Sequence, residues 1–379
     1  MEYHVISTDD HLQENPQTWT SRMSKKKWGD AIPQIRRDPD GTDHWYINGE
    51  KTRGGGVGSV RGIVPVGKPP LRWEDVPEKA YVPSERIKAM DEDGVDVHTF
   101  FGNISGVAGN TFSNPDYPEE FRLEAIRAYN DFQIEDWATP YPGRFITLLN
   151  LPMWDVDKAV AELDRVAGMD FKGISFAFPE QFGYPGIADE YWHPLWAAAQ
   201  DADLSINFHV GSGASMGLRK TTMTTKSSMM VVAEVSTRAI TANVEVMTTI
   251  LFSGILQTFP RLKIVSSESG IGWVPYLMEV ADHQWEAQDL RNNGMEMKPS
   301  DYFKRQCFVN FWFEDLGPKL RHIIGLDSML WESDFPHGTG TYPRSREWID
   351  KAMTGWTPEE RHQVLVENPA KLYHLPNGS

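Results

Sequence analysis

The chain has 379 residues, in which 37 Lys and Arg face 53 Asp and Glu, for a net charge of −16. This excess of acid argues against a nucleic-acid partner, because affinity for nucleic acid comes mainly from neutralising phosphates. The single cysteine, Cys307, excludes an internal disulfide and agrees with a cytoplasmic location. No apolar run is long enough to span a membrane and no signal-peptide pattern opens the chain, so we expect no membrane partner.

Residues suited to catalysis or metal binding appear at the start of the chain. Residues 5–8 have the composition of a buried strand and run directly into Asp9, Asp10 and His11. Side chains alternate between the two faces of an extended chain, so Asp9 and His11 are predicted to point one way and Asp10 the other. An acid and a histidine that converge at a strand end make half of a metal site. The alternative is a polar turn that closes the strand.

Residues 12–80 show no regular periodicity and are rich in glycine, proline and charge. A loop of this length inside a compact domain is usually a lid or is disordered, and the tryptophans in it argue against disorder. We therefore expect 12–80 to be an insertion that covers the mouth of a pocket. Arg53 and Arg61 within it could bind a substrate carboxylate through the guanidinium fork, with a solvated loop charge as the alternative.

The rest of the chain alternates between short apolar runs and amphipathic segments. Further strands are predicted at 95–101, 145–151, 173–178, 204–209, 262–267, 308–311 and 329–332. Helices are predicted from Ser84 to about residue 95 and at 117–137, 155–168, 190–202, 227–258, 273–289, 316–324, 345–354 and 358–367. Eight strands alternating with helices predict an α/β fold, a (β/α)8 TIM barrel in one domain over 1–379, with the long insertion after the first strand. An open doubly wound sheet is the alternative.

Polar side chains end four of these strands, on the face where such barrels keep their chemistry. They are Asp9 and His11 after the first strand, His209 after the fifth, Glu268 after the sixth and Asp334 after the eighth. Carboxylates and imidazoles suit a borderline divalent ion such as zinc or manganese. Each residue has an ordinary alternative, since an acid can cap the next helix and a histidine can be a hydrogen-bonded core residue. Their coincidence at strand ends favours one metal ion, zinc first and manganese as the alternative.

Six segments in this order carry a resemblance to a known family, at 6–11, 192–196, 208–211, 268–273, 333–337 and 367–373. The chain resembles the amidohydrolase-related family typified by 2-amino-3-carboxymuconate-6-semialdehyde decarboxylase and γ-resorcylate decarboxylase. The resemblance implies a metal-dependent enzyme that acts on a small-molecule substrate and forms a homodimer. It implies these metal ligands: Asp9, His11, His209 and Asp334. An apolar stripe on the helix at 273–289 agrees with a dimer contact.

One position departs from the family pattern. The decarboxylases of the family carry a histidine at the end of strand six, where this chain has Glu268. A carboxylate there could act as a general base toward metal-activated water, but it is a poor source of positive charge toward a substrate carboxylate. The substitution therefore favours a metal-dependent hydrolase, with Asp334 or Glu268 as the base, acting on a small cyclic or aromatic-derived lactone, amide or ring-cleavage product. A purely orienting role for Glu268 is the alternative.

Three more residues are candidates for substrate binding. His337 follows Asp334 and could face the pocket mouth, while Asn310 and Trp312 lie at the end of strand seven; loop or wall roles are the alternatives. Two other functions stay open. One is a metal-dependent non-oxidative decarboxylase of a hydroxybenzoate-like or muconate-like acid, which would use the same ligands. The other is a catalytically silent binding barrel, which predicts a broken metal position, whereas all four ligand positions are chemically competent.

Overall fold

The computed structural model describes residues 2–52, 57–65, 68–211 and 228–376. Its strands are β1 (Asp10–Leu12), β2 (Gln34–Arg37), β3 (Asp43–Ile47), β4 (Glu50–Lys51), β5 (His98–Gly102), β6 (Phe145–Asn150), β7 (Phe171–Phe176), β8 (Ser205–His209), β9 (Ile264–Ser267), β10 (Cys307–Phe311) and β11 (Met329–Trp331). Its α-helices are α1 (Gln17–Thr20), α2 (Lys25–Trp28), α3 (Pro83–Asp93), α4 (Glu119–Phe132), α5 (Val156–Arg165), α6 (His193–Asp201), α7 (Ser228–Phe252), α8 (Ile255–Thr258), α9 (Val274–Ala287), α10 (Pro299–Gln306), α11 (Leu316–Lys319), α12 (Arg321–Ile324), α13 (Ser345–Ala352), α14 (Pro358–His362) and α15 (Asn368–Leu372). Within the described residues, no helix combines the length and apolar character needed to cross a bilayer.

Eight of the strands form one parallel sheet, in the order β1-β5-β6-β7-β8-β9-β10-β11. Its two outer strands approach each other, because the Thr8 N–H donates to the Trp331 carbonyl at 3.0 Å and the Asp334 N–H donates to the Asp9 carbonyl at 3.0 Å. The prediction of an α/β fold is confirmed, and the curled sheet is consistent with a (β/α)8 barrel. In such an arrangement the carboxyl ends of all the strands share one edge.

The first strand lies later in the chain than predicted. Its regular ladder with β5 covers Asp10–Leu12, whereas residues 5–8 contribute an isolated bridge to the segment before β5. The Ser7 N–H bonds to the Val97 carbonyl on one side and the Thr8 N–H to the Trp331 carbonyl on the other, so these residues form no continuous ladder with one strand. Asp9 therefore comes just before the strand and His11 lies within it, still separated by one residue and still on one face.

The segment 12–80 contains regular elements of its own, which the sequence pattern did not predict. β2, β3 and β4 form a three-stranded antiparallel sheet. Trp19 and Trp45 are fully buried, with ring centroids 5.7 Å apart in an edge-to-face contact. They share a hydrophobic cluster with Phe100 of β5 and Phe121 of α4. Burial of these aromatic rings packs the segment onto the main sheet and its helices.

A buried arginine ties the end of this segment to the first strand. Arg86 of α3 is fully buried, and its guanidinium donates to the carbonyls of Lys79 at 2.8 Å and Ala80 at 3.0 Å. It also donates to the His11 carbonyl at 2.9 Å and lies 4.3 Å from the ring centroid of Phe335, within cation–π range. Burial lowers the pKa of Arg86 to about 9. The guanidinium therefore fixes the backbone that carries His11.

Asp10 makes a matching link on the opposite face of the strand, where the alternation of side chains predicted it. Its carboxylate accepts hydrogen bonds from the Thr99 N–H at 3.1 Å, from the Phe335 N–H at 3.3 Å and from the Ser333 hydroxyl. Burial raises the pKa of Asp10 to about 8. These contacts join the first strand to β5 and to the loop after β11, at the edge where the candidate ligands lie.

Arg86→Ala is expected to lower the free energy of unfolding by about 3–5 kcal/mol, because removing one partner from a buried polar network leaves the others unpaired. Denaturant titration followed by tryptophan fluorescence measures the change. Arg261→Ala is the control, since Arg261 is exposed and pairs with Asp201 at 2.7 Å on the surface, where loss of a pair costs at most about 1 kcal/mol. Equal effects of the two substitutions would contradict this structural role of Arg86.

Candidate metal centre

Four of the predicted site residues converge at the carboxyl edge of the sheet. His11 Nε2 lies 3.1 Å from His209 Nε2, 3.6 Å from Asp9 Oδ1 and 3.7 Å from Glu268 Oε2. His209 Nε2 in turn lies 2.8 Å from Glu268 Oε2 and 3.8 Å from Asp9 Oδ1. One ligand atom from each of the four side chains lies within 4.8 Å of all the others. The geometry therefore allows all four to bind one ion.

Asp334 and His337 adjoin this cluster from the side of the eighth barrel strand. Asp334 Oδ1 lies 3.7 Å from His11 Nε2 and 2.7 Å from His337 Nδ1. The His337 ring lies against the His11 ring, with centroids 3.8 Å apart and the ring planes tilted by 36°. Together with Glu268, these three residues form a second group of ligand atoms within the same 4.8 Å limit. The two groups overlap, because both contain His11 and Glu268.

The donor set fits a divalent cation. Asp9 is fully buried, and neither of its carboxylate oxygens has a hydrogen-bond donor among the described residues. Buried carboxylates are normally paired, hydrogen-bonded or bound to a metal. His209 Nδ1 lies 3.0 Å from the Val210 carbonyl, and such a bond fixes the tautomer of metal-binding histidines so that Nε2 is free to coordinate. The site therefore offers both the lone pairs and the unmet negative charge that a metal ion would satisfy.

Crowding of these charges shifts several pKa values. Burial, followed by the neighbouring carboxylates, raises the pKa of Asp9 well above its usual range. Burial and the neighbouring imidazoles lower the pKa of His11 well below its usual range. Burial acts to raise the pKa of Glu268, but a neighbouring imidazole outweighs it and the pKa is lowered. Burial opposes protonation of His337, yet the Asp334 carboxylate raises its pKa to about 9. The site thus combines acids short of a cation with one imidazole that readily holds a proton.

Glu268 and Asp334, the candidate ligands that follow β9 and β11 (strands six and eight of the barrel), have strained backbone conformations. The φ angle is +49° at Glu268 and +56° at Asp334, in the left-handed region that residues with a side chain seldom adopt. The Glu268 N–H donates to the Glu332 carboxylate at 3.0 Å and to the Asn310 amide oxygen at 3.1 Å. The Thr339 hydroxyl donates to Asp334 Oδ2 at 2.8 Å. Such strain persists where neighbouring bonds over-determine the conformation, and it is common at functional sites.

The three predicted substrate-binding residues have different settings. Asn310 is fully buried, and its amide bonds to the Glu268 N–H and to the Thr8 hydroxyl at 3.2 Å, so it positions Glu268 rather than facing an open pocket. Trp312 is buried, and its ring N–H donates to a backbone carbonyl of the loop after β11 at 3.3 Å. The His337 side chain is 23% exposed. Of the three, His337 has the setting that best suits contact with a substrate.

Sequence reasoning missed two acids around the site. Glu332 is fully buried, with one oxygen bonded to the Glu268 N–H and the other without a donor among the described residues; burial and the charge of Glu268 raise its pKa well above the usual range. Glu314 accepts from the Ile271 N–H at 2.6 Å and lies 2.9 Å from where a Cβ at Gly270 would be. An acid that follows an apolar strand, as Glu332 does, was a usable signal. The local sequence did not mark Glu314.

Of the two arginines predicted as carboxylate binders, one lies within the described residues. Arg53 lies outside the described residues. Arg61 is exposed and is close enough for its charge to disfavour protonation of His337. Next to it, the Gly62 N–H donates to the Pro336 carbonyl at 2.8 Å. This part of segment 12–80 therefore touches the loop that carries His337.

A curled parallel α/β sheet with acids and histidines at its carboxyl edge is the arrangement of metal-dependent barrel enzymes. The model of the Amidohydrolase family matches residues 69–375, most of the chain. The protein belongs to this family and is an enzyme of the amidohydrolase superfamily. The resemblance found in the sequence is thereby confirmed.

The chain is similar to decarboxylases and to a further amidohydrolase. The chain is 24% identical to γ-resorcylate decarboxylase of Rhizobium radiobacter over 325 residues, which cover 80% of this chain and 90% of the relative. Its structure resembles an amidohydrolase from Mycobacterium avium subsp. paratuberculosis K-10, with 21% identity, a TM-score of 0.75 and coverage of 98% and 100% of the two chains. It also resembles a dihydroxybenzoic acid decarboxylase from Polaromonas sp. JS666 with bound manganese and the inhibitor 2-nitroresorcinol, with 18% identity, a TM-score of 0.62 and coverage of 100% and 98%. The two structural likenesses show a shared fold.

Glu314 is expected to make the stability depend on pH. Burial raises its pKa to about 7, so the folded protein holds this proton more tightly than the unfolded chain, where glutamate titrates near about 4.3. The stabilising contribution is fully present below the unfolded value and is lost as pH rises through about 7. Glu314→Gln stays neutral, so its stability relative to wild type should rise by about 2.5 kcal/mol from pH 5 to pH 8.

Denaturant titrations of both proteins at the two pH values measure this difference. Glu279→Gln is the control, because Glu279 is exposed on α9 and its loss should leave the pH dependence as in wild type. A stability difference between Glu314→Gln and wild type that stays constant from pH 5 to pH 8 would contradict the raised pKa.

Proposed function

We propose that this amidohydrolase-family protein is a metal-dependent non-oxidative decarboxylase of a hydroxybenzoate-like acid. The observation that carries the proposal is the setting of His337, whose Nδ1 lies 2.7 Å from Asp334 Oδ1 and whose ring centroid lies 3.8 Å from that of His11. This setting places a proton-bearing imidazole beside the candidate ligands. The end of strand six has no such imidazole, because Glu268 stands there. The similarity to γ-resorcylate decarboxylase supports the same reaction class.

The proposed ligands of one divalent metal ion are those of the sequence analysis, namely Asp9, His11, His209 and Asp334. When bound, the ion would act as a Lewis acid toward a substrate carboxylate and an adjacent hydroxyl oxygen. Manganese and zinc both accept such oxygen and nitrogen donors. The buried and unbonded oxygens of Asp9 support its place in this set.

The contribution of the protein's own residues is to deliver a proton. The bond between the ring carbon and its carboxylate breaks, carbon dioxide leaves, and the ring carbon gains one proton in its place. His337 holds that proton, and Asp334 orients the imidazole through the 2.7 Å contact with Nδ1. A proton from solvent then restores the imidazolium, so the reaction needs no oxidant or reductant. A positioned proton donor typically contributes about 10²–10⁴-fold to the rate.

Of the segment 12–80, predicted to cover the pocket mouth, residues 57–65 are the part assigned a role in the proposal. Residues 57–65 lie against the loop after β11 through the hydrogen bond of 2.8 Å from Gly62 to Pro336. We assign to Arg61, exposed beside this contact, the binding of a further anionic or hydroxyl group of the substrate. A homodimer through the exposed Tyr276 of α9 and a cytoplasmic location stay predictions.

Hydrolysis, the function that the sequence favoured, is the second candidate. The contact that supports it is the 2.8 Å between Glu268 Oε2 and His209 Nε2, where a carboxylate could accept a proton from water. Decarboxylation has the better support, because the relative named above carries out that reaction and His337 supplies the proton source. A silent binding barrel has the least support, since every predicted ligand is present at the carboxyl edge.

Protein loaded with manganese or zinc is expected to convert 2,6-dihydroxybenzoate, or a related ortho-hydroxybenzoate, into the corresponding phenol and carbon dioxide. In deuterium oxide the product should carry one deuterium at the carbon that held the carboxylate, because the donated proton comes from an exchangeable group. Mass spectrometry of the product measures both. A panel of lactones and amides tested in parallel would reveal the alternative, since products that have gained a water molecule would establish hydrolysis.

His337→Asn is expected to lower kcat by about 10²–10⁴-fold with a smaller change in KM, because asparagine remains polar but cannot transfer the proton. Steady-state kinetics measure the two constants. His322→Asn is the matched control, since the His322 side chain is 67% exposed and lies 3.6 Å from Glu360 on the surface. If both variants keep the wild-type kcat, His337 is not the proton donor.

A further inference from the structure

We propose that Glu268 is itself a metal ligand, so that a carboxylate from strand six joins Asp9, His11 and His209 on the ion and the site is biased toward manganese. The inference rests on the metal site of the proposed function but not on the reaction carried out there. It changes the role predicted for Glu268 from a base toward water to a ligand of the ion.

Distances around Glu268 allow it to share one ion with both imidazoles. Two ligand atoms bound about 2.1 Å from the same ion lie about 3.0 Å apart in octahedral geometry and about 3.4 Å apart in tetrahedral geometry. Glu268 Oε2 lies 2.8 Å from His209 Nε2 and 3.7 Å from His11 Nε2, and those two nitrogens lie 3.1 Å apart. One ion can therefore touch all three atoms.

With His209 Nδ1 bonded to a backbone carbonyl, Nε2 is left facing two neighbouring acceptor atoms. His209 Nδ1 lies 3.0 Å from the Val210 carbonyl, so a neutral ring that donates there presents a lone pair at Nε2. That lone pair faces Glu268 Oε2 at 2.8 Å and His11 Nε2 at 3.1 Å. A single proton on Nε2 could satisfy one of these neighbours, whereas a metal ion satisfies both.

The backbone around Glu268 directs its side chain into the cluster. Its N–H is held by Glu332 and Asn310, and its φ of +49° is the strained conformation described above. Oε2 is buried, and His209 Nε2 lies 2.8 Å from it. Glu268 also belongs to both overlapping groups of ligand atoms. Whichever group the ion occupies, Glu268 is one of its neighbours.

The proposed ligand set predicts a bias between metals. Carboxylate oxygens suit manganese, whereas imidazole nitrogens suit zinc, and manganese accepts a larger number of ligands than four-coordinate zinc. Raw affinities still follow the order in which zinc binds more tightly than manganese. The inference therefore concerns the ratio of the two affinities, which a histidine in place of Glu268 should move toward zinc.

The experiment measures metal binding to protein freed of metal with a chelator. Manganese is titrated and followed by the EPR signal of the free ion, and zinc is measured by competition with a chromophoric chelator. Glu268→Gln is expected to weaken manganese binding by more than about 100-fold, beyond the 10–100-fold loss typical of residues that only orient ligands. Glu268→Asp keeps the carboxylate and should lose less, and Glu268→His should raise the zinc-to-manganese affinity ratio by about tenfold or more.

Glu332→Gln is the matched control. It removes a neighbouring buried carboxylate that bonds the same Glu268 N–H at 3.0 Å, retains an acceptor oxygen for that bond, and takes no ligand from either group. Its loss of manganese affinity should stay within the 10–100-fold range of residues that only orient ligands, below the loss in Glu268→Gln. The inference is overturned if Glu268→Gln binds manganese as wild type does, or if the two glutamine variants lose affinity equally, because general loss of negative charge would then explain the effect.

Circular dichroism and thermal unfolding of the metal-free variants show whether each one folds, and Glu268→Asp provides the test if Glu268→Gln does not. The binding measurements need no turnover, so they separate this inference from the proposed reaction. Loss of manganese binding without any decarboxylation in wild type would support Glu268 as a ligand and refute the proposed function. Decarboxylation with unchanged binding in Glu268→Gln would do the reverse.

Discussion

The site depends on one constraint: ionisable groups are packed at the carboxyl edge of the sheet with fewer hydrogen bonds than their charges require. Both oxygens of Asp9 are buried without a donor among the described residues, and desolvating a carboxylate costs several kcal/mol. Without a cation the protein meets this cost by moving protons, as the raised pKa of Asp9 and the lowered pKa of His11 show. A divalent ion removes the conflict, because it stabilises ionised carboxylates and neutral imidazoles together. Metal binding and stability are therefore coupled.

The scaffold holds this arrangement by placing a second polar layer behind it. Arg86 binds the carbonyl of His11 at 2.9 Å, and Asp10 binds the loop that carries Asp334 through the N–H of Phe335 at 3.3 Å. Glu268 and Asp334 both stand on left-handed backbone, a conformation that costs of order 1–3 kcal/mol. The second layer supplies bonds that stabilise these conformations. Rigid placement of ligands is thus achieved at the expense of local backbone strain.

The sequence predicted the parts of the site that depend on local pattern. Alternation along extended chain correctly placed Asp9 and His11 on one face and Asp10 on the other. The rule that barrel chemistry lies at the carboxyl ends of strands brought His209, Glu268 and Asp334 to the same edge. It did not predict what depends on distant pairing. The contacts of Arg86 with His11 and the small sheet within 12–80 need partners that no local pattern identifies, and the left-handed φ of Glu268 arises from bonds to strands seven and eight.

The charges of Glu268 and His337 are best understood together. If Asp9, Glu268 and Asp334 are all ionised beside one divalent ion, the site keeps one negative charge, which would repel an anionic substrate. His337 can carry the compensating charge, because its Nδ1 lies 2.7 Å from Asp334 Oδ1. A carboxylate at the end of strand six therefore does not argue against decarboxylation, as it did when the sequence was considered alone. In the proposed decarboxylase, the positive charge would move from strand six to the loop after strand eight, where the same imidazolium would neutralise the site and supply the proton.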